Sequence, residues 1–183
     1  MRRLDVIELG RQILEDLRDQ TGTTAAMAIW ANRGPTIVRA AEPAGSLASH
    51  IRIGSVLPLL SSSIGQCFAA FLDRRITQEL MQEELSDPAL AARTGLKGLD
   101  DVEVLLADCR ARRMSSATTL VHAGRMALTA PVFNHDGDMV AAICVIGLTD
   151  HIDFSWEGKP AQMLAAAAQR MSRTLNVPER TKA

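Results

Sequence analysis

Arg-Ile-Gly-Ser-Val-Leu-Pro-Leu-Leu-Ser-Ser-Ser-Ile-Gly-Gln-Cys-Phe-Ala-Ala-Phe-Leu, residues 52 to 72, sets a strand end, a proline and a turn of small residues directly before an apolar helix. Gly54 supplies a permissive backbone, Pro58 cannot donate to a strand ladder, and Ser61, Ser62 and Ser63 can each accept from the free N–H groups of a starting helix. The pattern predicts a helix from about Ser61 to Leu72. Its N-terminus would face a cavity and suit a small anion or carboxylate, because unpaired N–H groups and the positive end of the dipole meet there. Read locally, an ordinary capped helix accounts for the same residues more simply.

A second stretch shifts that balance. Residues 124 to 148 read Gly-Arg-Met-Ala-Leu-Thr-Ala-Pro-Val-Phe-Asn-His-Asp-Gly-Asp-Met-Val-Ala-Ala-Ile-Cys-Val-Ile-Gly-Leu. Two strand-type runs flank Asn134, His135, Asp136 and Gly137, where Asp-Gly supplies the positive φ values of a tight hairpin turn. The chain thus has a Gly-led strand, an Ala-Pro-Val ending, an Asp-Gly turn and an Ala-rich return strand. Gly-x-x-x-Pro-Leu at 54 to 59 and a helix start centred on Gly65 precede them. In this order and spacing the chain resembles the effector domain of the IclR family of bacterial transcription regulators, from about residue 4 to residue 176.

The chain has 183 residues, long enough for one well-buried domain and short for two. Residues 1–183 are therefore read as a single domain, with 1–21 as a linker or first helix and 178–183 as a polar, frayed tail. Hydrophobic residues make up 47% and charged residues 22%, an ordinary balance for a folded globular chain. No apolar run reaches the roughly 18 residues of a membrane span, and charge appears too early at the N-terminus for a secretory signal. A cytoplasmic location without membrane association is the expectation.

A net charge of −1 argues against a chain that grips nucleic acid by itself. Arg110, Arg112 and Arg113 form the densest basic set, read as the solvated end of a helix. Cys67, Cys109 and Cys144 are too few and too far apart for a disulfide framework or a Cys-x-x-Cys metal site. His50, His122, His135 and His151 share no metal-type spacing, so neither a metal nor another cofactor is expected. His135 reads as solvated in its turn, and His122, just before Gly124, is a ligand candidate near what the resemblance makes the mouth of a pocket. There is no phosphate loop and no nucleophile elbow, so enzyme chemistry is not indicated.

Helices are predicted at about 4–20, 61–72, 77–85, 99–113 and 159–175, with strands at about 24–31, 36–42, 47–53, 115–121, 125–133 and 139–147. Residues 86–98, broken by Pro88, Gly95 and Gly98, read as a mobile connection. This order predicts an α+β fold, an antiparallel sheet with helices packed on its faces. By resemblance it is the GAF-like fold of IclR effector domains.

The resemblance also implies a site. Carried over by position, the effector cavity falls near Leu47, Ser49, Ser63, Ile64, Ala117, Ala127, Cys144 and Ile146, with Ser61 and Ser62 at the helix start. Several positions depart from the family pattern. Leu60 stands where a His is common, Gln66 where a Lys is common, Thr119 and Leu120 replace an acidic pair, and Cys144-Val145-Ile146 replaces a Ser-x-Ser. These changes strip charge from the cavity, so the expected effector is an aromatic or partly hydrophobic organic acid, with its carboxylate at the 61–63 turn. Trp30 is a candidate for stacking on it, with core packing the favoured reading. The implied function is that of a ligand-sensing, homodimeric or homotetrameric domain, with DNA bound only through a winged helix-turn-helix domain not present in this chain. The readings from other classes are a thiol or redox sensor or enzyme using Cys67, Cys109 or Cys144, and an oligomerisation module whose cavity is filled.

Overall fold

A computed structural model describes residues 3–44, 51–118, 124–150 and 152–176. Helix α1 (Arg3–Thr21) buries Val6, Ile13, Leu14 and Leu17 on one stripe. It stops at Gly22, whose φ of 67° lets its N–H return to the Arg18 carbonyl at 2.8 Å. Strands β1 (Thr24–Ala31) and β2 (Gly34–Ala41) follow as a hairpin. Four helices come next, α2 (Ser63–Phe71), α3 (Arg74–Leu85), α4 (Pro88–Thr94) and α5 (Leu99–Arg112). Strands β3 (Ser115–Thr118), β4 (Arg125–Phe133) and β5 (Met139–Leu148) lead to α6 (Lys159–Leu175).

The five strands form one antiparallel sheet in the order β2-β1-β5-β4-β3. β3 pairs with β4 as far as Thr129, and Pro131, two residues on, has no N–H with which to extend a ladder. Alternation divides the side chains between the two faces. Met27, Leu128, Ala130, Val132, Ile143 and Val145 form one core with α1 and α6, which are also tied by an Arg170–Asp16 ion pair at 2.9 Å. Ala26, Ala28, Ala142 and Cys144 meet Ile64, Cys67 and Phe68 of α2 on the other face. Behind α2, a third cluster joins Leu59, Leu60, Met81, Leu90, Val102 and Leu106. The α+β expectation is met, with helices covering both faces of the sheet.

Two local expectations are corrected. Residues 86–98 contain a helix. Asp87 caps α4 by accepting from the Ala89 N–H at 2.9 Å, Pro88 occupies its first turn, and Gly95 in the left-handed region ends it. Asp-Pro stops one helix and starts the next, and only the stop was read. Of the strand expected at 47–53, residues 47–50 lie outside the described residues and 51–53 belong to no strand. The chain turns at Gly54, φ 89°, and lies against β2 around the bridge between Thr36 and Val56, with the Gly54 N–H donating to the Ile37 carbonyl, the Ile37 N–H to the Ser55 carbonyl and the Leu57 N–H to the Pro35 carbonyl at 2.8 to 3.0 Å.

Gly65 sits where α2 meets the turn before it. A Cβ there would stand 2.0 Å from the Pro58 carbonyl oxygen and 2.5 Å from the Leu59 Cα, both backbone atoms that cannot swing aside. Gly65→Ala should therefore lower stability by at least about 2 kcal/mol in thermal unfolding, despite the better helix propensity of alanine. Gly98→Ala, at an open and extended position, should change it by less than about 1 kcal/mol.

Candidate functional site

The start of α2 is held from three directions. Ser62, the N-cap, accepts from the Gly65 N–H at 2.9 Å and donates its own hydroxyl to the Pro58 carbonyl at 2.6 Å, closing the turn on itself. Glu84 of α3 accepts the Leu59 and Leu60 N–H groups at 2.5 and 2.8 Å. Burial pushes the Glu84 carboxyl above the usual glutamate range, and these two hydrogen bonds pull it part of the way back. Ser63 shares a hydrogen bond with Thr129 of β4 at 2.8 Å, and Ser115 of β3 donates to the Ser63 carbonyl at 2.6 Å. The three serines thus divide their work: Ser62 caps, Ser63 docks on the sheet, and the buried Ser61 hydroxyl has no partner among the described residues. The Ser63 and Ile64 N–H groups likewise have no acceptor among the described residues.

Strand register sets the floor beneath. Ser115, Thr129, Cys144 and Ala26 form one row across β3, β4, β5 and β1, and α2 lies on it. The next row is Ala117, Ala127, Ile146 and Thr24. Ala127 is buried, while Ala117 and Ile146 are half-buried. This row of small and apolar side chains begins where the helix does. It offers a floor for an apolar group beside two free helix N–H groups.

The residues expected from the sequence separate into three sets. Ser61, Ser62, Ser63, Ile64, Ala117, Ala127, Cys144 and Ile146 come together around the first turn of α2, although Ile64 and Cys144 are packed inside the core formed with Phe68. Trp30 stands at the far end of β1, about 20 Å of strand from Thr24. It packs against Phe68 with ring centroids 5.9 Å apart. Leu47 and Ser49 lie outside the described residues, as do His50, Thr119, Leu120, His122 and His151. Among the described residues no cluster of His, Cys, Asp or Glu is suited to a metal.

A cleft of about 230 Å³ opens between the helix start, the α4–α5 connection and β3. Ser61, Gln66, Arg93, Leu96, Leu105 and Ala117 are among its lining residues. Sequence reasoning missed Arg93 and Leu96 because α4 was read as a loop. The Asp87-Pro88 cap was the available signal.

A family model described as "Bacterial transcriptional regulator IclR C-terminal" matches residues 1–173. The uncharacterized HTH-type transcriptional regulator RhmR of Escherichia coli K12 is 26% identical over 173 residues, 94% of this chain and 66% of that protein. The HTH-type transcriptional regulator XynR of the same organism is 24% identical over 179 residues, covering 96% of this chain and 69% of XynR. The chain therefore spans about two thirds of the length of these relatives. The crystal structure of Pseudomonas aeruginosa HmgR superposes with a TM-score of 0.81 at 34% identity, covering 98% of this chain and 69% of that one. Thermotoga maritima IclR gives a TM-score of 0.79 at 20% identity, covering 94% and 69%, a likeness of fold.

All three cysteines are free and buried. Burial pushes the Cys67 thiol well above its usual range, Cys144 up to about 12 and Cys109 up to about 11. At pH 8 the folded protein should hold on the order of one thiolate per thousand Cys109 groups and fewer at the others. Reaction with a soluble aromatic disulfide should be slow in buffer and complete for all three thiols in denaturant. Rapid reaction of one thiol in the folded protein would revive the redox reading.

Proposed function

Since the chain belongs to the IclR family of bacterial transcriptional regulators, as a match to their C-terminal domain, we propose that it senses a small-molecule effector over the Ala117, Ala127 and Ile146 row at the start of α2. The family is one of transcriptional regulators rather than enzymes. The observation that carries the reading is the junction of that apolar row with the free N–H groups of Ser63 and Ile64. A carboxylate fits the helix terminus, where N–H groups and dipole both favour negative charge. The ring or alkyl part of the same molecule fits the row. At roughly 25 cal/mol per Å², covering it contributes a few kcal/mol without any charged partner. An aromatic or partly hydrophobic organic acid is the ligand class that uses both.

The regulatory step is a population shift. A ligand moves an equilibrium between arrangements only by its difference in affinity for them. In this reading the arrangements belong to a homodimer or homotetramer in the cytoplasm, and DNA is reached through a winged helix-turn-helix domain outside these residues. The rival reading, a ligand-free oligomerisation module, takes support from Ile64 and Cys144, which fill the sheet-facing side of α2.

A thermal-shift series separates the two. An aromatic acid at 100 times its dissociation constant should add about 2.7 kcal/mol of stability, more than keto acids or short dicarboxylates at equal concentration. Ala127→Leu, which fills the row, should abolish the shift while the variant remains folded by circular dichroism. Tighter binding of dicarboxylates would overturn the ligand class, and no shift with any acid would favour the filled module.

A further inference from the structure

Arg112 and Arg113 end α5, Arg173 lies in the last turn of α6, and all three line one cleft of about 470 Å³. That volume falls within the roughly 300 to 1,000 Å³ of small-molecule sites. The cleft opens on the sheet face opposite α2, since its lining includes Ala130 and Ala168 of the core formed with α1 and α6. It shares no lining residue with the Ala117–Ala127–Ile146 row.

The three guanidinium groups are not equivalent. Arg112 is committed, because its Nε donates to both Asp108 carboxylate oxygens at 2.8 and 2.9 Å and its Cζ stands 4.6 Å from the Trp156 ring centroid. Arg113 has no carboxylate partner among the described residues. Its backbone is left-handed, φ 53°, and its Cζ lies 4.7 Å from the ring centroid of Phe133, itself a lining residue. Stacking holds the plane of a guanidinium and leaves the N–H groups around its edge free to donate. The Arg173 side chain has neither a hydrogen bond nor an ion pair among the described residues. Helix C-termini attract cations, which alone could place arginines here. Yet Arg113 lies over a ring of β4, and the Cys109, Arg110 and Arg173 carbonyls accept backbone N–H groups instead.

No carboxylate is among the described lining residues, and Asp136 and Asp138, on either side of the lining Gly137, are exposed to screening solvent. Gln169 and Asn176 add neutral amide donors, and Pro131 and Ala165 add apolar surface. A monocarboxylate fills one guanidinium fork. A phosphate monoester carries nearly two charges at neutral pH and three acceptor oxygens, enough for two forks together. We infer that this cleft binds a small organic phosphate, with Arg113 and Arg173 on the phosphate and the organic group against Pro131 and Ala165. The inference stands whether or not the row binds an effector.

The test is calorimetric titration of the full chain with propyl phosphate, propyl sulfate and inorganic phosphate at constant ionic strength. Propyl phosphate should bind at least about fivefold more tightly than propyl sulfate, which carries one charge, and than inorganic phosphate, which lacks the alkyl group. Arg113→Gln and Arg173→Gln should each weaken it at least about fivefold, the scale of one charge-assisted contact at an exposed site. Both side chains are exposed, so both variants should keep the fold by circular dichroism. Ala127→Leu should leave propyl phosphate binding unchanged, and amide NMR shifts should gather at Phe133, Gly137 and Arg173. No saturable binding, equal affinity for propyl phosphate and either comparison anion, or unchanged affinity in both arginine variants would overturn the proposal. Binding that is lost in Ala127→Leu but kept in the arginine variants would assign the ligand to the row instead.

Discussion

The contact between the Gly65 backbone and the Pro58–Leu59 turn is the constraint on which the remaining structure depends. A helix can lie against a preceding turn at backbone distance only where it has no side chain. With Gly65 in place, Ser62 reaches back to the Pro58 carbonyl, and Glu84 reaches the Leu59 and Leu60 amides from the far side. Ser63 then meets Thr129 and Ser115. Each of these bonds is modest, about 1 kcal/mol net when made and more when left broken in a buried site. Their joint effect is to fix the first turn of α2 at one place on the sheet. The proposed effector site is built on that turn.

The sheet is adapted to receive the helix closely. On the α2 face the central strands present Ala26, Ala28 and Ala142 in the core and Ala127 in the adjoining row. Small side chains bring α2 close enough for Ser63 to reach Thr129, while the longer Met27, Leu128, Ile143 and Val145 fill the wider space under α1 and α6. The same small residues, where they extend beyond the start of the helix, leave the row that the proposed effector covers. Packing and binding thus draw on one feature of composition, the small side chains of Ala26, Ala28, Ala142 and Ala127 on the α2 face.

Much of the fold was legible in the sequence because the signals were local. Helical spacing of Leu4, Ile7, Leu9, Ile13, Leu14 and Leu17, the Asp-Gly hairpin and the Ala-rich run from Lys159 each predict an element within a residue or two. The start of α3 was missed because Asp73 caps it by accepting from the Arg75 N–H, a cue that stood four residues before the expected start. α4 was hidden because Pro88 was read as a break. The floor of the site was legible only through the family resemblance, since which alanines share a row is a matter of register between strands far apart in sequence. The unpaired atoms of Ser61 and Gln66 were not legible at all. A sequence shows polar residues near a helix start, and only the surrounding packing shows which of them lack a partner.

The central claim is that the first turn of α2, resting on the Ala117–Ala127–Ile146 row, is where this domain meets its effector. Backbone amide NMR during titration with an aromatic acid tests it most directly. The account predicts saturable shifts concentrated at the Ser63 and Ile64 amides and at Ala117, Ala127 and Ile146. Shifts confined to other residues, or none at saturating acid, would contradict it.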